Sequence, residues 1–265
     1  MTKDEYLEGI IDKMTIFPRY NYEYLDYINL QYCGERIKRI AYPMICFCDI
    51  PLHQLAPHAE GRKDFEGYGK YCIALSKAWG EQKGLQPILY VNEVSELAKQ
   101  FECSFNAALE LANHSQQEDK LSDKMSDGLF ELLKYMKPNF GKMEKMKDGK
   151  SGSCEKNFHD EKEWRFIPSI KHEDAPNELI DPIDRELLVN ENIHHMYSEA
   201  LSLLPQYSLS FGVDDIKYIF VESDETREKL IDFICKKRTG KLIRKKEKLV
   251  LISKIIVYED IKGDW

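Results

Sequence analysis

"PMICFCDIPLHQLAPH" fills residues 43–58, and its reading decides the fold. Extended back to Ala41, the segment "AYPMICFCDIP" is a short apolar run with a proline at each end, the pattern of a buried strand. Cys46 and Cys48 stand one residue apart, so on a strand both side chains share a face. Structural zinc sites pair cysteines two to four residues apart and then supply a second pair. No second pair exists here, and His53 and His58 are a weak substitute. The spacing therefore favours small polarizable side chains filling a sheet face, and no metal is expected. Nothing local marks either thiol as an activated nucleophile.

Upstream, Tyr6, Leu7, Ile10, Ile11 and Met14 recur at helical spacing, and "FPRY" (17–20) breaks the pattern. Downstream, "YGKYCIAL" (68–75) and "QPILYV" (86–91) read as two further strands. Asn92 is an N-cap candidate for a helix whose apolar stripe runs from Val94 to Ala112. Leu129, Leu132, Leu133 and Met136 indicate a second helix stopped by Pro138. The Lys-, Gly- and Ser-rich segment 141–157 lacks a core pattern and reads as a mobile loop. "EKEWRFIP" (161–168) alternates as a strand, 183–204 is helical, and "DIKYIFV", a Ser223-capped helix and "KLVLISKIIVY" close the chain as strand, helix and strand. The expectation is a single α+β domain over 1–265, a mixed central sheet with a helical insertion and mobile loop at 92–150.

The 265 residues are 43% hydrophobic, enough for a substantial core. A net charge of -8 and an isoelectric point near 5.5 argue against a wholly basic nucleic-acid binder but not against a local basic groove. "MTKDEYLEGIIDKM" has acids where a signal peptide needs positive charge, and no apolar run is long enough to cross a bilayer. Seven scattered cysteines fit a reduced, cytoplasmic protein.

Three stretches carry chemistry. Glu161 and Glu163 place two carboxylates on one strand face, followed by Arg165. Such a pair can orient a ribose hydroxyl and stabilise positive charge at an anomeric carbon. The alternative is an exposed strand edge with ordinary alternating charge. Arg19, between Pro18 and Tyr20, could grip a diphosphate while the tyrosine stacks on a base, or could simply lie on the surface. Gly67 and Gly69 beside Tyr68 and Tyr71 allow close backbone approach to a ligand. The run "KKRTGKLIRKKEK" (236–248) has eight bases and one acid, so Lys236, Lys237, Arg238, Arg244 and Lys245 are candidate RNA or DNA contacts. A solvated helix end is the other reading.

In order and spacing, "FPRYNYEYL", "YPMICFCDIPLHQLAPH", "YGKYCIALSKAWGEQKGLQPILYV", "EKEWRF" and "DIKYIFV" resemble the AbiGi family of abortive phage-resistance proteins. That resemblance implies a two-gene defence or toxin–antitoxin cassette, and hence a cognate antitoxin or toxin as partner. The family label itself attaches to the antitoxin half. The layout of an early arginine, a central strand and a later carboxylate pair is similar to ADP-ribosyltransferase-fold toxins. That likeness implies NAD as a substrate without metal. In it Arg19 holds the diphosphate or ribose, Tyr68 or Tyr71 stacks on nicotinamide, and Glu163 is catalytic with Glu161 at the preceding position of an E-x-E pair. Tyr20, Asp49 and His53 complete the cofactor-binding candidates. Where arginine-type members carry Ser-Thr-Ser, this chain reads Cys46-Phe47-Cys48. Two outcomes stand: a toxin that transfers ADP-ribose to RNA, DNA or protein, or a non-catalytic antitoxin or binding partner. A metal-dependent hydrolase is a third.

Overall fold

Strand Arg39–Cys48 is the spine of the molecule, because Ile40 through Ile45 are buried without a break. Tyr42 and Met44 face one apolar cluster, Ala41 a second and Ile45 a third, so both faces of the strand are covered. Pro43 falls between the stretch paired with Leu179–Ile180 and the stretch paired with Glu163–Phe166. On its other side Pro43 stands opposite Tyr20, whose N–H turns away to the Ser198 hydroxyl, so no ladder bond calls for a proline N–H. The computed structural model describes residues 1–62, 65–114, 120–147, 150–181, 183–236 and 244–262.

The architecture is α+β. Five strands form the central sheet: Arg19–Tyr24, Arg39–Cys48, Gln86–Pro87, Glu163–Phe166 and Leu179–Ile180. Every pairing within it is antiparallel. The expected mixed character belongs instead to a smaller sheet. There Ile216–Val221 runs antiparallel to Cys72–Leu75 and parallel to Ile255–Val257. The parallel pair needs a long connection, which helix Asp224–Lys236 supplies. Ile45, Trp79, Ile219, Leu230 and Ile234 pack between the two sheets, and Leu7 and Ile11 of helix Asp4–Lys13 join them.

The insertion is two helices, Glu96–His114 and Lys120–Leu133. Ser95 caps the first by accepting the Ala98 N–H at 3.2 Å, while the expected cap, Asn92, takes the Val94 N–H one turn earlier. Phe105 meets Phe130 edge-on at 4.9 Å between ring centres, which locks the pair together. The second helix ends at Leu133, and Met136–Pro138 continues as a strand parallel to Leu89–Val91.

Three further sequence expectations change. Segment 141–157 is a hairpin, Phe140–Lys147 against Lys150–Asn157, so the expected loop is a regular antiparallel ladder. "KLVLISKIIVY" divides into the end of helix Lys245–Ile252 and strand Ile255–Val257. A short apolar run has no period that separates helix from strand, and here Ser253 closes the helix before the strand begins. Tyr68 and Tyr71 precede strand Cys72–Leu75, and Gly69 between them takes φ +89°, a conformation open to glycine.

Candidate functional site

Strand Glu163–Phe166 lies beside the exit of the spine, with Glu163 opposite Cys48 and Arg165 opposite Cys46. Trp164 and Phe166 turn into the core between the sheets, so alternation sends Glu163 and Arg165 to the other face. Glu161 reaches that face by another route. It ends the short 3-10 turn Phe158–Glu161, and Lys162 at φ 44° makes the bend into the strand. Asp49 N–H donates to the Lys162 carbonyl at 3.0 Å and pins this bend to the spine. The two carboxylates therefore share a face, although only Glu163 is on the strand.

Both are buried: Glu161 and Glu163 are each 4% exposed, and Arg165 is 0% exposed. Burial at this level excludes the exposed strand edge. Lys137 Nζ bridges the pair, 3.0 Å from Glu163 Oε2 and 3.5 Å from Glu161 Oε2. Arg165 Nε donates to Glu163 Oε1 at 2.6 Å. Its Nη1 donates to the Tyr42 hydroxyl at 2.8 Å and the Lys134 carbonyl at 2.7 Å, and its Nη2 pairs with Glu23. On the outer side Glu161 pairs with Lys156 and accepts from the Tyr68 hydroxyl, while Lys156 Nζ donates to the Tyr68 oxygen at 2.8 Å. His58 stacks on the Tyr68 ring at 4.6 Å, and the Tyr90 hydroxyl accepts the Glu163 N–H at 2.8 Å.

The electrostatics follow from burial set against charge. Burial alone would raise the Glu163 carboxyl, but Arg165 and Lys137 overcome it and hold it at about 2. Burial likewise works against ionisation of Glu161, and Lys137 and Lys156 keep it below its ordinary value. Lys137 rises in spite of burial because Glu23, Glu163 and Glu161 surround it. Lys156 falls: burial outweighs the pull of Glu161, and Lys137 adds repulsion. Cys46 and Cys48 open onto solvent yet are walled in by the sheet, and this enclosure pushes both thiols up, Cys48 to about 12. Neither is an activated nucleophile.

A polar cleft of about 540 Å³ borders the outer half of this network, lined by His58, Lys156, His159, Asp160 and Glu161 among others. A more apolar cavity of about 210 Å³ adjoins it across Ile50 and His58, walled by Phe47, Cys48, Asp49, Trp79 and Trp164. The ammonium, imidazole and carboxylate groups on the polar wall suit a ligand bearing hydroxyl or phosphate groups. Among the described residues, no cluster of three or more His, Cys, Asp or Glu side chains is arranged to hold a metal ion.

The other candidates scatter. Tyr68 joins the carboxylates, and Asp49 lies on the neighbouring cavity wall, paired with Lys77 at 2.5 Å. His53 is exposed on the 3-10 turn Leu52–Gln54. Arg19 is exposed and pairs with Glu199 at 3.4 Å. Its strand partner is Met44, four residues along the spine from Cys48, or about 13 Å at strand rise. Tyr20 packs on Tyr197 and donates to the Pro176 carbonyl. The Tyr71 hydroxyl approaches Glu222 at 3.5 Å. Lys236 pairs with Asp232 on its own helix, Arg244 lies 3.9 Å from Glu247, and Lys245 opens helix Lys245–Ile252. Lys237 and Arg238 lie outside the described residues. Sequence reading missed Glu23, Lys137 and Lys156. Lys137 left one faint signal, a lysine between the buried Met136 and Pro138.

Among the described residues no helix is long and apolar enough to cross a membrane. No solved structure matches the chain. The family model described as "putative abortive phage resistance protein AbiGi, antitoxin" matches residues 14–222, which takes in the spine, the insertion and the whole ion-pair network. A protein of Lactococcus lactis subsp. cremoris named "Abortive phage resistance protein AbiGi" is 40% identical over 254 residues, covering 95% of this chain and 100% of that protein. The chain therefore belongs to the AbiGi family of abortive phage-resistance proteins.

Proposed function

We propose that this chain is the antitoxin-type member of a two-protein abortive-infection system and acts by binding a toxin protein. The observation that carries this reading is the state of the carboxylate pair. Glu163 spends both oxygens on Arg165 and Lys137, and Glu161 spends its own on Lys156, Tyr68 and Lys137. A glutamate that stabilises a substrate cation must be free to face the substrate. Glu163 points into its own fold, and Glu161, although it borders the polar cleft, has both oxygens taken by its own neighbours. The family's description as an antitoxin supports the same reading. In the test, the chain is expressed alone and together with the product of its neighbouring gene. Growth should be normal with the chain alone, arrested by the neighbour alone and restored by both. Arrest by this chain alone would refute the proposal.

One observation favours a second reading, ADP-ribose transfer from NAD: the polar cleft beside Glu161 and Lys156. Incubation with labelled NAD and total RNA, DNA and lysate protein tests it. Glu161→Gln is the informative variant, since Glu163 also holds Arg165 in place. Label transfer lost in Glu161→Gln would favour the enzyme, and no transfer by wild type would remove it.

A further inference from the structure

The insertion combines two properties that seldom coexist on a solvated face. Between Asn92 and Leu133 there are nine acidic residues against three lysines, a net -6 of the chain's -8. The same region is unusually apolar outside. Of the fifteen large hydrophobic side chains exposed among the described residues, seven lie between Leu89 and Leu132. On helix Lys120–Leu133, Ser122, Ser126 and Leu133 face inward, while Met125 and Leu132, seven residues apart, share an outer face at 49% and 58% exposure. Gly128 lies on that outer face, and a Cβ added there would meet nothing within 4 Å. Leu89 extends the stripe. Its N–H donates to the Tyr135 carbonyl, Tyr135 N–H donates to the Leu132 carbonyl, and its side chain is 48% exposed. On helix Glu96–His114, Leu97 and Leu111 are exposed at two-turn multiples, with Glu96 and Glu110 beside them.

From this juxtaposition we infer that the outer face of the insertion, centred on Leu89, Met125 and Leu132, is the surface that docks the toxin. The partner patch is basic, with an apolar groove sized for leucine and methionine side chains and rimmed by lysine or arginine. The inference rests on the antitoxin reading. Charge complementarity selects the occupant: the described residues between 92 and 133 include seven acidic residues against three lysines, a net -4, which repels a second copy and attracts a cationic protein. The apolar stripe supplies the desolvated centre that such contacts need, and the carboxylates supply steering and the rim.

The test titrates the full-length chain with the purified product of the neighbouring gene by calorimetry. Met125→Glu with Leu132→Glu should weaken Kd on the order of a hundredfold or more, because charge enters the desolvated centre. Glu110→Lys with Asp127→Lys changes exposed charges only, and should weaken binding at low salt and flatten its salt dependence. Leu203→Glu, at a 79% exposed site outside the insertion, should bind like wild type. Circular dichroism melts check folding, and the charge-reversal pair decides if the apolar pair fails to fold. Binding by wild type that neither pair weakens overturns the surface and leaves the antitoxin reading standing. If wild type does not bind, that reading falls and the surface falls with it. Sedimentation of wild type as a dimer and of Met125→Glu with Leu132→Glu as a monomer would assign the stripe to a second copy and overturn the proposal.

Discussion

Glu163→Gln isolates the charge at the centre of the network. Bringing a carboxyl from its ordinary 4.5 to about 2 corresponds to roughly 3 kcal/mol of stabilisation at about 1.4 kcal/mol per pH unit. An independent route gives a similar figure. Removing one partner of a buried ion pair costs about 3–5 kcal/mol, and the amide keeps one acceptor for Arg165, which recovers about 1 kcal/mol. The expected loss is about 3 kcal/mol at pH 7, read from the urea midpoint at unchanged m-value. The sign with pH follows from the depressed folded-state value. The stabilisation is fully present above about 4.5 and is lost as pH falls through about 2. The gap between wild type and variant should therefore narrow to about 1 kcal/mol at pH 3. A loss below about 1 kcal/mol at pH 7 would refute the reasoning. So would a gap of the same size at pH 7 and pH 3, which would mean that shape rather than charge is at stake.

Arg165→Met leaves Glu163 and Glu23 without their shared guanidinium and should cost about 3–5 kcal/mol in the same urea titration. Tyr68→Phe removes the hydroxyl between Glu161 and Lys156 and should cost about 1–2 kcal/mol, with the Glu161 carboxyl rising in a carbon-detected NMR titration. Gly67→Ala should destabilise sharply in a thermal melt, because the added Cβ would sit 2.1 Å from the Ala59 carbonyl oxygen. Gly128→Ala, with open space around it, should gain about 0.5–1 kcal/mol. Iodoacetamide labelling at pH 8, followed by mass spectrometry, should modify the exposed Cys33 and Cys103 well before Cys48, whose thiol stands near 12.

The local periods were legible. The inward face Ala98, Phe105, Ala108 and Leu109 of the first insertion helix, the buried run from Ala41 and the alternation of Trp164 and Phe166 with Glu163 and Arg165 are each set by neighbours within a few residues, and each stands in the structure. The ends of the two stripes do not: Val94, Leu97 and Leu132 are exposed, and Met136 lies on a strand. Hairpin 140–157 was not legible, because its pairing rests on backbone hydrogen bonds along a Lys-, Gly- and Ser-rich sequence without apolar alternation. Nor was the 245–257 segment, where two short apolar runs, 249–252 and 255–257, suit helix and strand alike.

By itself, the sequence determined an α+β chain, the spine at residues 41–48 and a carboxylate pair on a face shared with Arg165. It also carried the block order that marks the family. Only tertiary structure decided what the carboxylates face. Lys137 and Lys156 converge on them from two other segments, and Glu23 from a third pairs with Arg165, a closure that no local pattern encodes. Burial then supplies the physical reason. Water taken from two adjacent carboxylates must be replaced by fixed cations and donors, and the groups that replace it are the ones a substrate would need. Arg19, placed by the sequence beside the same chemistry, is held about 13 Å along the spine by its strand register.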